Sequence, residues 1–219
     1  MRFLFKYPTR QRPEWAVRTV RLWRSMLSGQ HSYQWLMSCD HDDAFMRDAA
    51  VQSELTGLSV RCLFGVHATK HEAVNADIDK ADPWDCCVLV SDDMTPVVRG
   101  FDDIIAKTLL DCFPNLDGGL WFDDGLNAAC WTLTIMGRKL YERLGYLYRT
   151  DYLSICADAD LQQTCLRLGV LRHFQQTIIR HDHHISGRSP HDALYRKNEL
   201  DEAYDYAVFA IREAAGFPL

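Results

Sequence analysis

The sequence predicts an α/β protein with a mostly parallel sheet, helices on both faces and a smaller mixed C-terminal portion. Three observations carry this prediction. Strand-like and helix-like segments alternate through the first two-thirds of the 219 residues. Apart from Asp85, the segment 84–90 is an apolar run of the kind a strand buried on both faces requires. Three proposed strands end on polar clusters, Lys6-Tyr7-Pro8-Thr9-Arg10, Asp40-His41-Asp42-Asp43 and Ser91-Asp92-Asp93. Ligands of open parallel sheets bind beyond such carboxyl ends.

The elements follow in order. Residues 2–7 read as a short strand stopped by Pro8. A helix begins at Pro13, with Ala16, Val20, Trp23 and Leu27 at helical spacing, and ends before Gly29. Segments 33–39 and 59–64 read as the second and third strands, and 70–80 as a short helix. The strand 84–90 is next, then a helix over 101–112 stopped by Pro114. Strands are expected at 118–122 and 131–135, flanking the loop Asp123-Asp124-Gly125. Helices over 138–144 and 158–168, a last strand over 174–179 and a closing helix over 199–215 complete the chain. With no repeat, low-complexity stretch or linker, residues 1–219 read as a single domain. About 1–95, about 96–198 and a C-terminal helix over 199–219 read as its successive parts.

Composition narrows the function classes. No apolar run approaches the roughly 18 residues a membrane span needs, and the first eight residues do not form a secretory signal. Cysteines 39, 62, 86, 87, 112, 130, 156 and 165 include no Cys-x-x-Cys pair, and most lie in apolar segments. That pattern predicts reduced thiols in a cytoplasmic protein. With 24 basic against 30 acidic residues, the net charge of −6 disfavours a broad nucleic-acid surface.

Chemistry is expected at the strand ends. Adjacent carboxylates such as Asp92-Asp93 repel each other, and a divalent cation shared with a ligand phosphate relieves that repulsion. The competing reading makes one of them a helix cap. Lys6 and Arg10, at the end of the first strand, are placed for phosphate or nucleotide contact.

The order of motifs is informative. The turn Pro8-Thr9-Arg10-Gln11-Arg12 follows the first strand, and Ser38-Cys39-Asp40 ends the second. Asn75 follows in Lys70-His71-Glu72-Ala73-Val74-Asn75, then Asp92-Asp93, then Ala157-Asp158-Ala159-Asp160, then His181. This series resembles the GT-A fold as used in glycosyltransferase family 2 and its relatives. The resemblance implies a nucleoside-diphospho-sugar donor contacted by Tyr7, Pro8, Thr9, Arg10, Asp40, Asn75 and Asp92. It implies Mn2+ or Mg2+ held by Asp93, with Asp92 nearby and His181 completing the shell. Asp158 is the implied general base of an inverting transfer, with Asp160 as the alternative on the same turn. Ala157 departs from the family, which commonly has an acidic residue there. Asp124, Gly137 and Arg138 are the candidate acceptor contacts, and Trp121, Trp131, Tyr146 and Tyr148 offer faces on which a sugar could stack.

Three other functions compete. A nucleotidyltransferase shares the sheet and the metal carboxylates, but usually has a Gly-rich turn where this chain has none. A metal-dependent hydrolase would use the cluster His181-Asp182-His183-His184, with His173 and His191 nearby. A non-catalytic sugar-nucleotide sensor would bind without turnover. The acceptor itself is open: a glycan, a lipid, a protein or a hydroxylated DNA base, the last disfavoured by the acidic charge.

Overall fold

The first strand, β1 (Arg2–Thr9), sets the frame of the structure, a computed structural model that describes residues 1–183, 187 and 201–219. Successive side chains of a strand point to opposite faces. Phe5 packs on Trp23 of helix α1 (Pro13–Met26) and on Phe101 of helix α4 (Phe101–Cys112), which fixes one face. Lys6 points the other way, toward the turn after α3 (Lys70–Asn75), where its ammonium donates to Ser38 Oγ. Ser38 Oγ in turn donates to Asp77 at 2.7 Å. Helices therefore cover both faces.

Strand β2 (Ser32–Asp40) runs parallel to β1 with Phe5 opposite Trp35, and β3 (Val60–Gly65) runs parallel to β2. On the other side of β1 lies β4 (Cys86–Leu89), four buried residues with Phe5 opposite Val88. Beyond β4 come β7 (Ile135–Gly137), β6 (Gly119–Phe122) and β8 (Leu171–Phe174), giving the order β3-β2-β1-β4-β7-β6-β8. Only β7 runs against the rest. A separate two-stranded ribbon pairs β5 (Met94–Pro96) with β9 (Ile179–His181), and Met94 faces His181. Helices α2 (Ala49–Gly57), α5 (Arg138–Leu144), α6 (Ala157–Arg167) and α7 (Glu202–Ala215) complete the described elements.

The core under α1 and α4 is aromatic. Phe5 lies 4.8 Å from Trp35, and Trp23 meets Phe101 edge-on at 5.3 Å. Edge-on pairs add to the area these rings bury. The Trp23 indole N–H donates to the Met94 carbonyl at 2.9 Å, which ties α1 to the ribbon that carries His181. All eight cysteines are free thiols. Among the described residues, no helix is long and apolar enough to cross a membrane.

Several expectations need correction here. Pro8 does not stop β1, because the strand continues to Thr9. The helix expected over 70–80 ends at Asn75, since Asp77 takes a left-handed φ of 67° and restarts the chain as a 3-10 turn. The strand expected over 131–135 lies at Ile135–Gly137 instead. Of the strand expected over 174–179, Phe174 ends β8, Ile179 begins β9 and the residues between them connect the two. The closing helix is described from Glu202, and residues 199 and 200 lie outside the described residues.

Lys6 is not a phosphate contact either: it is fully buried. Burial pulls its pKa down to about 8, against the pull of Asp77. A lysine whose folded pKa lies below its unfolded value penalises the fold fully below about pH 8, and the penalty lifts as pH rises toward 10.5. The unfolding free energy of the wild type relative to Lys6→Met is therefore expected to rise by about 3 kcal/mol across that window. Denaturant unfolding of both proteins at several pH values measures this difference, and parallel curves would contradict it.

Candidate functional site

Because β1, β2 and β4 are parallel, their carboxyl ends share one edge. At that edge the turn after β1 sends one arginine to each neighbour. Arg10 pairs with Asp40 at the end of β2, and holds Asp42 through two contacts at 2.9 and 3.1 Å. His67 Nδ1 meets the other Asp40 oxygen at 2.9 Å. Arg12 grips both oxygens of Asp92 at 3.0 and 2.8 Å. Asp43, fully buried, fixes this turn by accepting the N–H groups of Gln11 and Met46.

Asp93 meets the ribbon. Ser91 Oγ donates to Asp93 Oδ1, and His181 Nε2 lies 3.2 Å from Asp93 Oδ2. On its other side, His181 Nδ1 lies 3.3 Å from Asp124 Oδ2. Asp124 also accepts from Thr132 Oγ1 and from the N–H groups of Leu126 and Asn127. Burial works to raise the Asp124 carboxyl, and the hydrogen bonds from His181, Thr132 and the two N–H groups outweigh it, holding the pKa at about 2. Burial likewise works to lower His181, and the two carboxylates outweigh it and push the imidazole up to about 9. Asp93, His181 and Asp124 thus form a partly buried row in which the carboxylates on either side favour the protonated imidazole. His183 stacks edge-on against His181 at 5.1 Å, while His184 and His191 lie outside the described residues.

Asp158 stands in the first turn of α6, half-buried, with the Cys130 thiol donating to Oδ2 at 3.5 Å and the Ala159 N–H to Oδ1 at 2.8 Å. It is not the N-cap, a position held by Cys156. Lys70, at the start of α3, links Asp158 to Asp93 electrostatically. Desolvation of the ammonium by its neighbours lowers its pKa, against the pull of Asp158, Asp205 and Asp93. The residue as a whole is exposed.

The structure brings Arg10, Asp40, Asp92, Asp93 and His181 to one edge, with Pro8 and Thr9 at the end of the same strand. Other expected residues serve elsewhere. Tyr7 is buried behind that edge on the same face as Phe5, within electrostatic reach of Asp92, Asp93 and Arg12. Asn75 uses its amide on the backbone of His71, Leu147 and Tyr148, joining α3 to a loop. Asp160 is fully buried and bound by Arg212, Tyr152 and Thr164, which leaves it no access to an acceptor. Gly137 and Arg138 sit at the opposite edge, because antiparallel β7 ends beside the start of β4, with Cys86 opposite Gly137. There Arg138 stacks on Trp84 at 4.7 Å, and a Cβ on Gly137 would meet the Leu116 carbonyl at 2.3 Å. Asp124 backs His181 rather than facing solvent as an acceptor contact would. His67, Lys70 and Arg12 are additional polar groups at the edge. Only Arg12 carried a sequence signal, as the second arginine of the turn after β1.

The donor set suits a hard divalent cation. A carboxylate oxygen and an imidazole nitrogen are ligands for Mn2+, and Mg2+ or Mn2+ commonly takes few protein ligands and completes its shell with phosphates and water. Among the described residues no group of three or more such side chains is arranged to hold a metal, as a structural zinc site would require.

No family model matches the sequence, and neither does any curated protein. Solved structures do match. The mannosyltransferase PcManGT of Pyrobaculum calidifontis, in complex with GDP-Man and Mn2+, superposes with a TM-score of 0.59 at 15% identity, over 80% of this chain and 54% of that one. TarS of S. aureus, residues 1–349 with UDP, gives 0.60 at 10% identity over 82% and 60%. A CMP:2-keto-3-deoxy-manno-octonic acid synthetase complexed with CTP gives 0.52 at 10% identity over 81% and 90%. The chain therefore has a GT-A-like fold, as the mannosyltransferase PcManGT does, and spans 54% of PcManGT and 60% of the TarS chain.

Proposed function

We propose that the chain transfers a sugar from a nucleoside-diphospho-sugar to a hydroxyl acceptor. One observation carries the reading: the partly buried pair Asp93–His181, 3.2 Å apart beyond the carboxyl end of β4, with Lys70 within electrostatic reach of both Asp93 and Asp158. PcManGT, which shares the fold, was solved with both a sugar nucleotide and Mn2+.

In this reading Asp93 and His181 would hold Mn2+ or Mg2+, the cation displacing the proton between His181 Nε2 and Asp93, and Asp92, fixed by Arg12, adds negative charge beside them. Such a cation supplies electrostatic stabilisation to a departing diphosphate. Lys70 adds a positive charge on the cleft side, and Arg10, Asp40 and His67 form a polar patch for the base. Asp158 accepts the proton of the acceptor hydroxyl, and the oxygen attacks the sugar C1 as the bond from C1 to the diphosphate oxygen breaks. The bonding pair leaves with the diphosphate, and in-line attack inverts the anomeric centre. The acceptor is a glycan, a lipid, a protein or a hydroxylated DNA base, and the net charge of −6 gives DNA the least support.

A second reading has an observation of its own. The synthetase matches over 90% of its length, nearer this chain's size than either glycosyltransferase, and it makes a nucleotide sugar instead of using one. Incubation with UDP-glucose or GDP-mannose and Mn2+, water serving as acceptor, separates the readings. Release of a nucleoside diphosphate supports the transferase. Pyrophosphate release from CTP and a sugar acid, with no diphosphate from either donor, would replace it with the synthetase.

A further inference from the structure

Two buried charges on α7 close on the segment that carries Asp158. Asp205 is fully buried and accepts three successive backbone N–H groups, from Leu153 at 2.8 Å, Ser154 at 2.8 Å and Ile155 at 2.7 Å. Arg212 lies seven residues further on, two turns along the same face of the helix. Its Nε and Nη2 donate to the two oxygens of Asp160 at 2.8 and 3.1 Å, and Tyr152 Oη donates to Asp160 Oδ2 at 2.8 Å.

Asp158 lies between these anchors. Cys156 also lies between them, with a φ of 67°. That left-handed conformation is costly for a residue with a Cβ and persists where surrounding contacts over-determine it. Here it turns the chain from the three N–H groups that Asp205 holds into the first turn of α6. The inner face of α7 is thus fastened by charge, whereas Tyr204, Tyr206 and Ile211 on the same helix are exposed. A carboxylate held by three N–H groups and a guanidinium held by a buried carboxylate are directional contacts, which set an orientation more narrowly than apolar packing does.

We infer that Asp205 and Arg212 are positioning residues: the C-terminal helix clamps residues 152–160 so that α6 holds Asp158 in place beside Lys70. The inference rests on the reading of Asp158 as the base. A misplacement of about 1 Å at a reacting group can cost about 10²-fold in rate.

The test uses the full chain with Asp205→Asn, Arg212→Met and Arg212→Lys. The assay is Mn2+-dependent release of nucleoside diphosphate from whichever of UDP-glucose and GDP-mannose the wild type hydrolyses, run below each variant's melting temperature. In Asp205→Asn and Arg212→Met, kcat is expected to fall about tenfold or more while the donor KM stays within about twofold. Arg212→Lys should recover part of the loss. Amide exchange should quicken at residues 153–155 and stay slow in β1 and β4. If Asp205→Asn does not fold, Asp205→Glu, which keeps the charge but displaces it, takes its place. A wild-type kcat in these variants overturns the inference, as does a loss of donor binding in step with kcat, which would mark a general structural role. A wild type that binds no nucleoside diphosphate overturns the functional reading itself, and the clamp's catalytic role with it.

Discussion

Asp158→Asn is expected to slow release of nucleoside diphosphate from the donor by about 10²-fold or more, with donor affinity and melting temperature close to wild type. Asparagine keeps the size of the side chain and an oxygen able to accept the Ala159 N–H, so the local backbone has no reason to move. What it lacks is the capacity to take a proton. A loss of about 10²-fold corresponds to about 2.7 kcal/mol of transition-state stabilisation, within the ordinary range for general-base catalysis. The competing account makes Asp158 a partner of the α6 N-terminus, where a carboxylate favours the helix dipole by roughly 0.3–1 kcal/mol. That account predicts the opposite pattern, a small drop in melting temperature with turnover intact. Measuring donor affinity, melting temperature and turnover on one preparation separates the two.

Asp160→Asn should instead act on the fold. Its carboxylate is fully buried against Arg212, Tyr152 and Thr164, and removing its charge leaves the Arg212 guanidinium without its counter-charge. Breaking one side of a buried ion pair costs about 3–5 kcal/mol, a large share of the stability of a typical domain. Urea or thermal unfolding should show that loss, with nucleoside-diphosphate affinity retained by the folded fraction. An Asp160→Asn protein of wild-type stability would show that the pair contributes little. The alternative base considered on the same helical turn would then need fresh attention.

The difference between these two aspartates shows where the sequence stops. Residues two apart on a helix lie about 200° apart around its axis, so one must face away from whatever the other faces. The sequence says that Asp158 and Asp160 differ in environment, and only the packing of α7 says which of them is buried. The strand ends were more legible. Cys86–Leu89 is buried on both faces and therefore apolar throughout, so the first polar residues after it mark the sheet edge. His181 was also within reach, through the resemblance and as the first histidine of the stretch His181-Asp182-His183-His184, although its ribbon strand is only three residues long.

Other features left no readable trace. Helix α2 buries only Leu55, so it shows no apolar periodicity, and its start is marked by the Asp48 cap alone. Strand direction is equally silent. Gly137 and Arg138 follow a short apolar segment as the other candidates do, but β7 runs against its neighbours and delivers them to the far edge. Asn75 has the residue type a nucleotide site favours, and its amide is committed to the Leu147 and Tyr148 backbone by a contact more than seventy residues away. Lys70 could be placed near Asp93 only once the strand order was known.

The central claim is that Asp93 and His181 bind a nucleoside diphosphate through a divalent cation. Isothermal titration of the full chain with UDP and with GDP, once in Mn2+ and once in EDTA, tests it most directly. The account predicts measurable binding of at least one nucleotide in Mn2+, little in EDTA, and loss of the Mn2+-dependent part in Asp93→Asn. Equal affinity with and without the cation, or undiminished Mn2+-dependent binding in Asp93→Asn, would contradict it.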